Sequence, residues 1–416
     1  MITKSKYIKD HEFLYKDKNL LTILIATTLR GYNLGFMGVF LGVYFYFIGL
    51  SDLKFGIALS CVTFSGALSN LFVYFFKNII SRKQFLIIMS VSSVIGGFIF
   101  LITENYFLIL LASLLSISSI TGGDRTGITS VEIPIISKLV ELKKQTSAYS
   151  VYNFLPMISK IIGTSILLIV PILTSVTELK TKTVYSILLI IYIIISIVQT
   201  LVYNFLDHKI EAKEKIQNKI SKIENNESTL IIIITFLFAV DSFGGGFIAR
   251  SFITFWLIKK FSLSEATLSI IFIIAQVLNG LSLVIAPKIA KSIGVLNTMI
   301  LSQMIANGII IVAALSSNWI LATVLYLIKE SFNDLDIPTR QAFMMSIVKE
   351  NNQTQMASMS NLGRTAAHTF SPGIAGYISS VLGISLSLVF GSTIKLLYSL
   401  ILLRFKFSTF NKLEIK

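Results

Sequence analysis

Apolar runs of about 20 residues recur along nearly the whole of this sequence, and that pattern restricts the chain more than any other feature. A helix rises ~1.5 Å per residue, so each run matches a hydrocarbon core ~30 Å thick. The composition agrees, with 54% of the 416 residues apolar and only 14% charged, against roughly 45–50% and about 25% in soluble domains. Most of the chain is therefore expected to be an all-α integral membrane protein.

Twelve transmembrane helices are expected, near 20–48, 54–76, 84–103, 106–138, 146–176, 183–206, 229–258, 263–286, 295–316, 318–348, 353–382 and 384–404. They divide into a six-helix bundle at 20–206 and a second at 229–404, flanked by a segment at 1–19 and a tail at 405–416. The polar stretch at 207–228 links them, and Ile216, Ile220 and Ile223 allow an amphipathic helix or a solvated linker there. Both termini and this linker carry 23 Lys and Arg together with the loops on their side, against five on the other, Lys54, Lys180, Lys182, Lys259 and Lys260. The positive-inside bias then puts both termini in the cytoplasm, and the chain is expected in the plasma membrane of a prokaryote.

The formal charge of +15 is spread over short loops rather than gathered on one basic face, so nucleic acid is excluded as a partner. A single cysteine, Cys61, leaves no internal disulfide and no cysteine-based metal cluster. The first 18 residues have no apolar core or cleavage site, so no removable signal peptide is expected. No cofactor or metal is expected. The partners are a small-molecule solute, the lipid bilayer and coupling protons or ions, and the chain is expected to act as a monomer.

Fourteen charges fall inside the spans: Arg30, Asp124, Arg125, Glu132, Lys160, Asp241, Arg250, Lys329, Glu330, Asp334, Asp336, Arg340, Arg364 and Lys395. Each would cost at least ~2.5–3.5 kcal/mol at the bilayer centre on insertion scales, so they line a polar cavity or pair with one another.

The second half repeats the first. VEIPIIS at 131–137 lies over LDIPTRQ at 335–341, QTSAYSVYNFLP at 145–156 over QTQMASMSNLGR at 353–364, and LRGYNLGF at 29–36 over VDSFGGGF at 240–247. A duplicated six-helix unit in parallel orientation is the expected architecture. On these segments, above all DIPTRQAFMMSIV and QMASMSNLGRTAAHTFSPGIAG within 336–376, the chain resembles the major facilitator superfamily, in particular prokaryotic members of unassigned substrate. That resemblance implies two pseudo-symmetric six-helix bundles and a central path lined by helices one, four, seven and ten. The usual acidic and basic loop between helices two and three is incomplete: Asn78 stands where the family has an acid, and only Arg82 and Lys83 match. The glycine-proline motif of drug–proton antiporters is missing from NFLPMISKIIGTSI at 153–166.

Arg30 and Asp241 occupy equivalent positions of the repeat and are expected to meet near mid-membrane, as a switchable or a permanent pair. Glu330 and Asp334 are spaced i, i+4 and are expected on one helix face, as a proton or cation site or neutralised by Lys329, Arg340 or Arg125. Asp124 and Glu132 add acids to the fourth helix. Asp336 and Arg340, beside Pro338, read as a structural or gating pair, as do Asn78, Arg82 and Lys83. Lys160, Arg364 and His368 could offer positive charge to an anionic solute, or be plain hydrogen-bonded helix residues. Gly244, Gly245 and Gly246 are expected to bend the seventh helix, with close helix packing the competing explanation.

No G-x-x-x-x-G-K-[ST] loop is present, so ATP is not the energy source. The expected function is a secondary active transporter moving a small polar or charged solute by alternating access. The alternatives are an efflux antiporter for organic compounds and, from other classes, a non-transporting membrane sensor or an intramembrane enzyme. His11, His208 and His368 form no catalytic pattern.

Overall fold

The computed structural model describes residues 17–76, 79–116, 119–120, 126–207, 210, 225–349 and 352–408, and every regular element among them is helical. Asn78, Asp124, Arg125, most of the 207–228 linker and most of both terminal segments lie outside the described residues. Among the described residues nine stretches are long and apolar enough to cross a membrane. Large apolar side chains such as Phe107, Val284 and Phe370 are more than half exposed on the helix surfaces. Water would not tolerate so much apolar surface, whereas lipid does.

Helix α1 (Lys18–Phe47) and α2 (Asp52–Phe76) are followed by α3 (Arg82–Ile102), α4 (Tyr106–Leu115), α5 (Gly127–Leu139), α6 (Leu142–Ser165), α7 (Ile169–Val176) and α8 (Thr181–Asn204). Then come α9 (Asn225–Phe247), α10 (Arg250–Phe261), α11 (Glu265–Ile293), α12 (Val295–Leu315), α13 (Trp319–Asn333), α14 (Asp336–Ser346), α15 (Gln353–Leu382) and α16 (Ile384–Ser408). Three expected continuous spans are instead broken, 106–138 into α4 and α5, 229–258 into α9 and α10, and 318–348 into α13 and α14, while 146–176 passes from α6 to α7 through a 3-10 turn at Ile166–Leu168. The break between α13 and α14 falls among polar residues, NDLD at 333–336, which favour local turns over a lipid-spanning helix.

The chain divides into two compact units, Met1–Tyr44 with Cys61–Ile216, and Phe45–Ser60 with Gln217–Lys416. The expected boundaries did not foresee that residues 45–60 group with the second unit. In the first unit α3 packs on α8 and α4, over a core that includes Leu24, Leu86, Ile135 and Tyr152. Gly35 permits α1 to press on α6, because a Cβ there would stand 2.1 Å from the Lys160 carbonyl oxygen.

In the second unit α9 packs on α15 and α16, and α12 on α16 and α13, around Phe238, Met299, Phe343 and Met356. The glycine run does not bend its helix as expected: α9 stays helical through Gly244–Gly246 to Phe247, and the break comes at Ile248 and Ala249. Close packing is the reason, since a Cβ on Gly246 would come within 1.6 Å of Ser371 Oγ. The first turn of α2 is fastened here as well. Asp52 accepts a hydrogen bond from Ser379 at 2.5 Å and pairs with Lys259, while Phe55 stacks on Phe255 with ring centroids 3.9 Å apart.

The repeat extends to the turns. Asn105 caps α4 by accepting from the Phe107 and Leu108 amides, and Asn318 caps α13 by accepting from Ile320 and Leu321. Each Asn donates its own amide to a hydroxyl two residues earlier, Thr103 at 3.0 Å and Ser316 at 3.1 Å. Such caps satisfy orphan helix N–H groups and contribute about 1 kcal/mol each. Gln145 and Gln353 both reach back eight residues to a carbonyl of the preceding helix, Ser137 at 2.9 Å and Met345 at 3.0 Å.

Candidate functional site

The buried charges assemble into three centres, each inside one unit. In the first unit Arg30 projects from α1 onto Glu132 of α5, which is fully buried. Its two terminal nitrogens donate to the two carboxylate oxygens at 3.0 and 2.6 Å. Tyr203 of α8 and Tyr152 of α6 each donate to Glu132 at 2.7 Å, and Thr27 accepts from Arg30 at 3.1 Å. A planar guanidinium fork matched to a carboxylate is the strongest arrangement available to such a pair, and the phenols occupy the remaining lone pairs.

The expected Arg30–Asp241 pair is thereby corrected. Asp241 of α9 takes its partners from its own unit, Lys395 of α16 at 2.5 Å and Arg340 of α14 at 3.5 Å. Desolvation makes a buried ion costly unless it is neutralised at contact distance, so each charge pairs within the bundle that buries it. Arg340 also holds Asp336, one turn back, at 2.8 Å, as the i, i+4 spacing predicts. Pro338 is the third residue of α14, within the first turn, where a missing N–H breaks no bond of the helix.

The third centre lies on α13. Glu330 accepts from Lys329 at 2.6 Å and from Asn279 of α11 at 2.7 Å, and the Lys329 ammonium lies 5.7 Å from the Tyr326 ring centroid. The expected neutralising partner Lys329 is thus in contact with Glu330. Asp334 is not on a continuous face with it, because α13 ends at Asn333 and Asp334 is the capping residue, bonded by Asn333 at 2.7 Å.

Lys160 belongs to the first unit, on the face of α6 that meets Gly35. Arg364 and His368 belong to the second, where the Arg364 carbonyl accepts from Ser242 at 2.9 Å and His368 is buried. Lys83 donates to the Asn204 and Leu206 carbonyls at 2.6 and 2.8 Å, and Arg82 to that of Ile210 at 3.2 Å. These two cations complement the carbonyl end of α8. Tyr152, Tyr203, Asn279 and Tyr326 were not singled out by sequence, since uncharged polar residues in apolar spans carry no contrast. Lys395 did stand out as an intramembrane charge, but not as a partner of Asp241.

No family model matches the chain. It is 18% identical over 401 residues to an uncharacterized membrane protein of Saccharomyces cerevisiae, YJR124C, covering 89% of this chain and 90% of that one. Among solved structures, the nucleoside transporter NupG is 14% identical, with 93% of this chain and 99% of that chain covered and a TM-score of 0.73. The D-xylose-proton symporter is 13% identical, with 93% and 98% covered and a TM-score of 0.72. The fold is that of these transporters. It belongs to an all-helical, multi-pass membrane protein.

Proposed function

We propose that this chain is a secondary active transporter that moves a small polar or charged solute across a membrane by alternating access, coupled to protons or another ion. The observation that carries this reading is the combination of a transporter fold with ionic centres buried in the bundle cores. Intramembrane ions are expensive to keep, and they mark solute or ion pathways. Arg30 and Glu132, Asp241 with Arg340 and Lys395, and Lys329 with Glu330 are the proposed coupling and solute-sensing groups, with Lys160, Asp334, Arg364 and His368 as further solute contacts. Asp336, Pro338, Arg82 and Lys83 are proposed to act in gating.

The finer reading is a twelve-span protein of the major facilitator superfamily in which α4 with α5, α6 with α7, α9 with α10 and α13 with α14 each make one span. The Lys and Arg distribution supports cytoplasmic termini, and the resemblance to prokaryotic facilitators supports a prokaryotic plasma membrane. Purified protein in proteoliposomes should accumulate at least one radiolabelled solute from a mixed panel when a proton or sodium gradient is imposed. A panel spanning amino acids, sugars, nucleosides, peptides and organic cations that stays unaccumulated and unexchanged would overturn the reading.

A further inference from the structure

The centre around Asp241 uses its arginine differently from the centre in the first unit. The match of 29–36 with 240–247 sets Arg30 over Asp241, and that of 131–137 with 335–341 sets Glu132 over Asp336 and Ile136 over Arg340. A cation and an acid in the first half thus become two acids in the second, with Arg340 bonded to both. Arg30 grips Glu132 with both terminal nitrogens. Among the described residues, the hydrogen bonds of Arg340 all come from Nη1, at 2.8 Å to Asp336 and at 3.5 Å to Asp241. The second distance lies at the outer edge of hydrogen bonding. Nε of Arg340 is buried with no partner among the described residues, so a fork able to hold a carboxylate with two nitrogens holds none in that way.

The surroundings make the two carboxylates unequal. Asp336 lies in the first turn of α14, where the partial positive charge of the helix end supports an acid. Asp241 lies well inside α9 and is buried, and among the described residues its contacting cations are Lys395 at 2.5 Å and Arg340. The Lys395 stem is pressed on α9, since a Cβ on Gly244 would stand 2.7 Å from Lys395 Cγ. The guanidinium carbon of Arg340 lies 5.9 Å from the Phe238 ring centroid. Phe238 is one turn from Asp241 on α9, so a cation over its ring is already beside that carboxylate. Arg364 and Asp334 also act on this centre electrostatically.

We infer that Arg340 is a two-position arginine: it pairs with Asp336 in the arrangement described, and closes on Asp241 when Lys395 releases that carboxylate. A buried carboxylate that loses one cation draws the nearest other one, and Asp336 keeps the support of its helix end when Arg340 leaves. An anionic group that engaged Lys395 would set off the exchange. This rests on the transporter reading, and it states how the proposed coupling group Asp241 acts on the proposed gating residue Asp336.

The test compares Lys395→Met, Asp336→Asn and the double variant of the full chain in detergent, with Arg364 and Asp334 kept in each. Lys395→Met should lower Tm by several degrees, and adding Asp336→Asn should restore most of the loss, because Arg340 is then free to serve Asp241 alone. The nuclear magnetic resonance signal of the Arg340 Nε–H, in protein carrying isotope-labelled arginine and assigned by its loss in Arg340→Lys, separates partner exchange from charge compensation at a distance. That signal should move towards the hydrogen-bonded range in Lys395→Met and further in the double variant. Should Lys395→Met fail to fold, Asp336→Asn alone is expected to move the signal in the same direction. Strictly additive effects on Tm, or a signal that stays at its parental position, overturns the exchange and leaves transport standing. Proteoliposomes that accumulate and exchange nothing would instead remove the transporter reading, whatever the position of the arginine.

Discussion

Arg30 and Glu132 are worth more as a pair than either is alone, because both are buried and each cancels the other's desolvation. Removing one partner strands the other charge, typically at a cost of 3–5 kcal/mol, whereas replacing both by apolar residues of similar shape can be nearly neutral. Arg30→Met and Glu132→Leu should therefore each lower the detergent melting temperature and expressed yield, and the double variant should recover most of both. A double variant no more stable than the singles would show that Tyr152 and Tyr203, not the ion pair, hold the centre. A second expectation concerns Glu330. Its bonds to Lys329 and Asn279 survive in part in Glu330→Gln, so solute counterflow should persist while gradient-driven accumulation is lost. Equal loss of both, or of neither, would remove Glu330 as a coupling residue. At this scale the sequence revealed which residues are buried ions but not their partners. The repeat puts Arg30 and Asp241 at equal depth, and depth along a helix says nothing about which way a side chain turns.

Helix contacts in this chain depend on where side chains are missing. Gly35 and Gly246 let main chain approach where a Cβ would collide with the Lys160 carbonyl or with Ser371 Oγ, whereas a Cβ on Gly245 would meet nothing within 4 Å. Gly35→Ala should separate α1 from α6 and lower the melting temperature by several degrees. Gly245→Ala, in the same kind of helix, should be neutral or stabilising by up to about 1 kcal/mol, since alanine favours a helix over glycine. Equal behaviour of the two variants in a melting experiment would mean that backbone freedom, not packing, sets the requirement. Sequence alone placed the long apolar helices well, because α3, α8 and α12 are uninterrupted runs. It failed at the breaks. A glycine run looks like a bend until the neighbour that needs the space is known, and the break at Ile248 and Ala249 carries no glycine or proline.

On the proposed duplicated architecture, the two halves would be expected to share turn chemistry, which ties local geometry to membrane topology. The turns at Thr103 to Asn105 and Ser316 to Asn318 use the same hydroxyl-to-amide and Asn-capping bonds, although only the flanking motifs, not these turns, stood out in the sequence. If the repeat is parallel, equivalent turns must lie on the same side of the membrane. Under the twelve-span reading that side is opposite to both termini, in keeping with 23 Lys and Arg on the terminal side against five on the other. Single cysteines at Asn105 and Asn318, in a chain with Cys61 replaced, should be labelled from outside intact cells by a membrane-impermeant maleimide. A reporter after Lys416 and one within 207–228 should both read as cytoplasmic. Opposite labelling of the two cysteines would mean that an odd number of spans separates them and that the repeat is inverted. Reporters on opposite sides would instead show that α13 and α14, or α9 and α10, do not together make a single crossing, and the twelve-span count would fall with them.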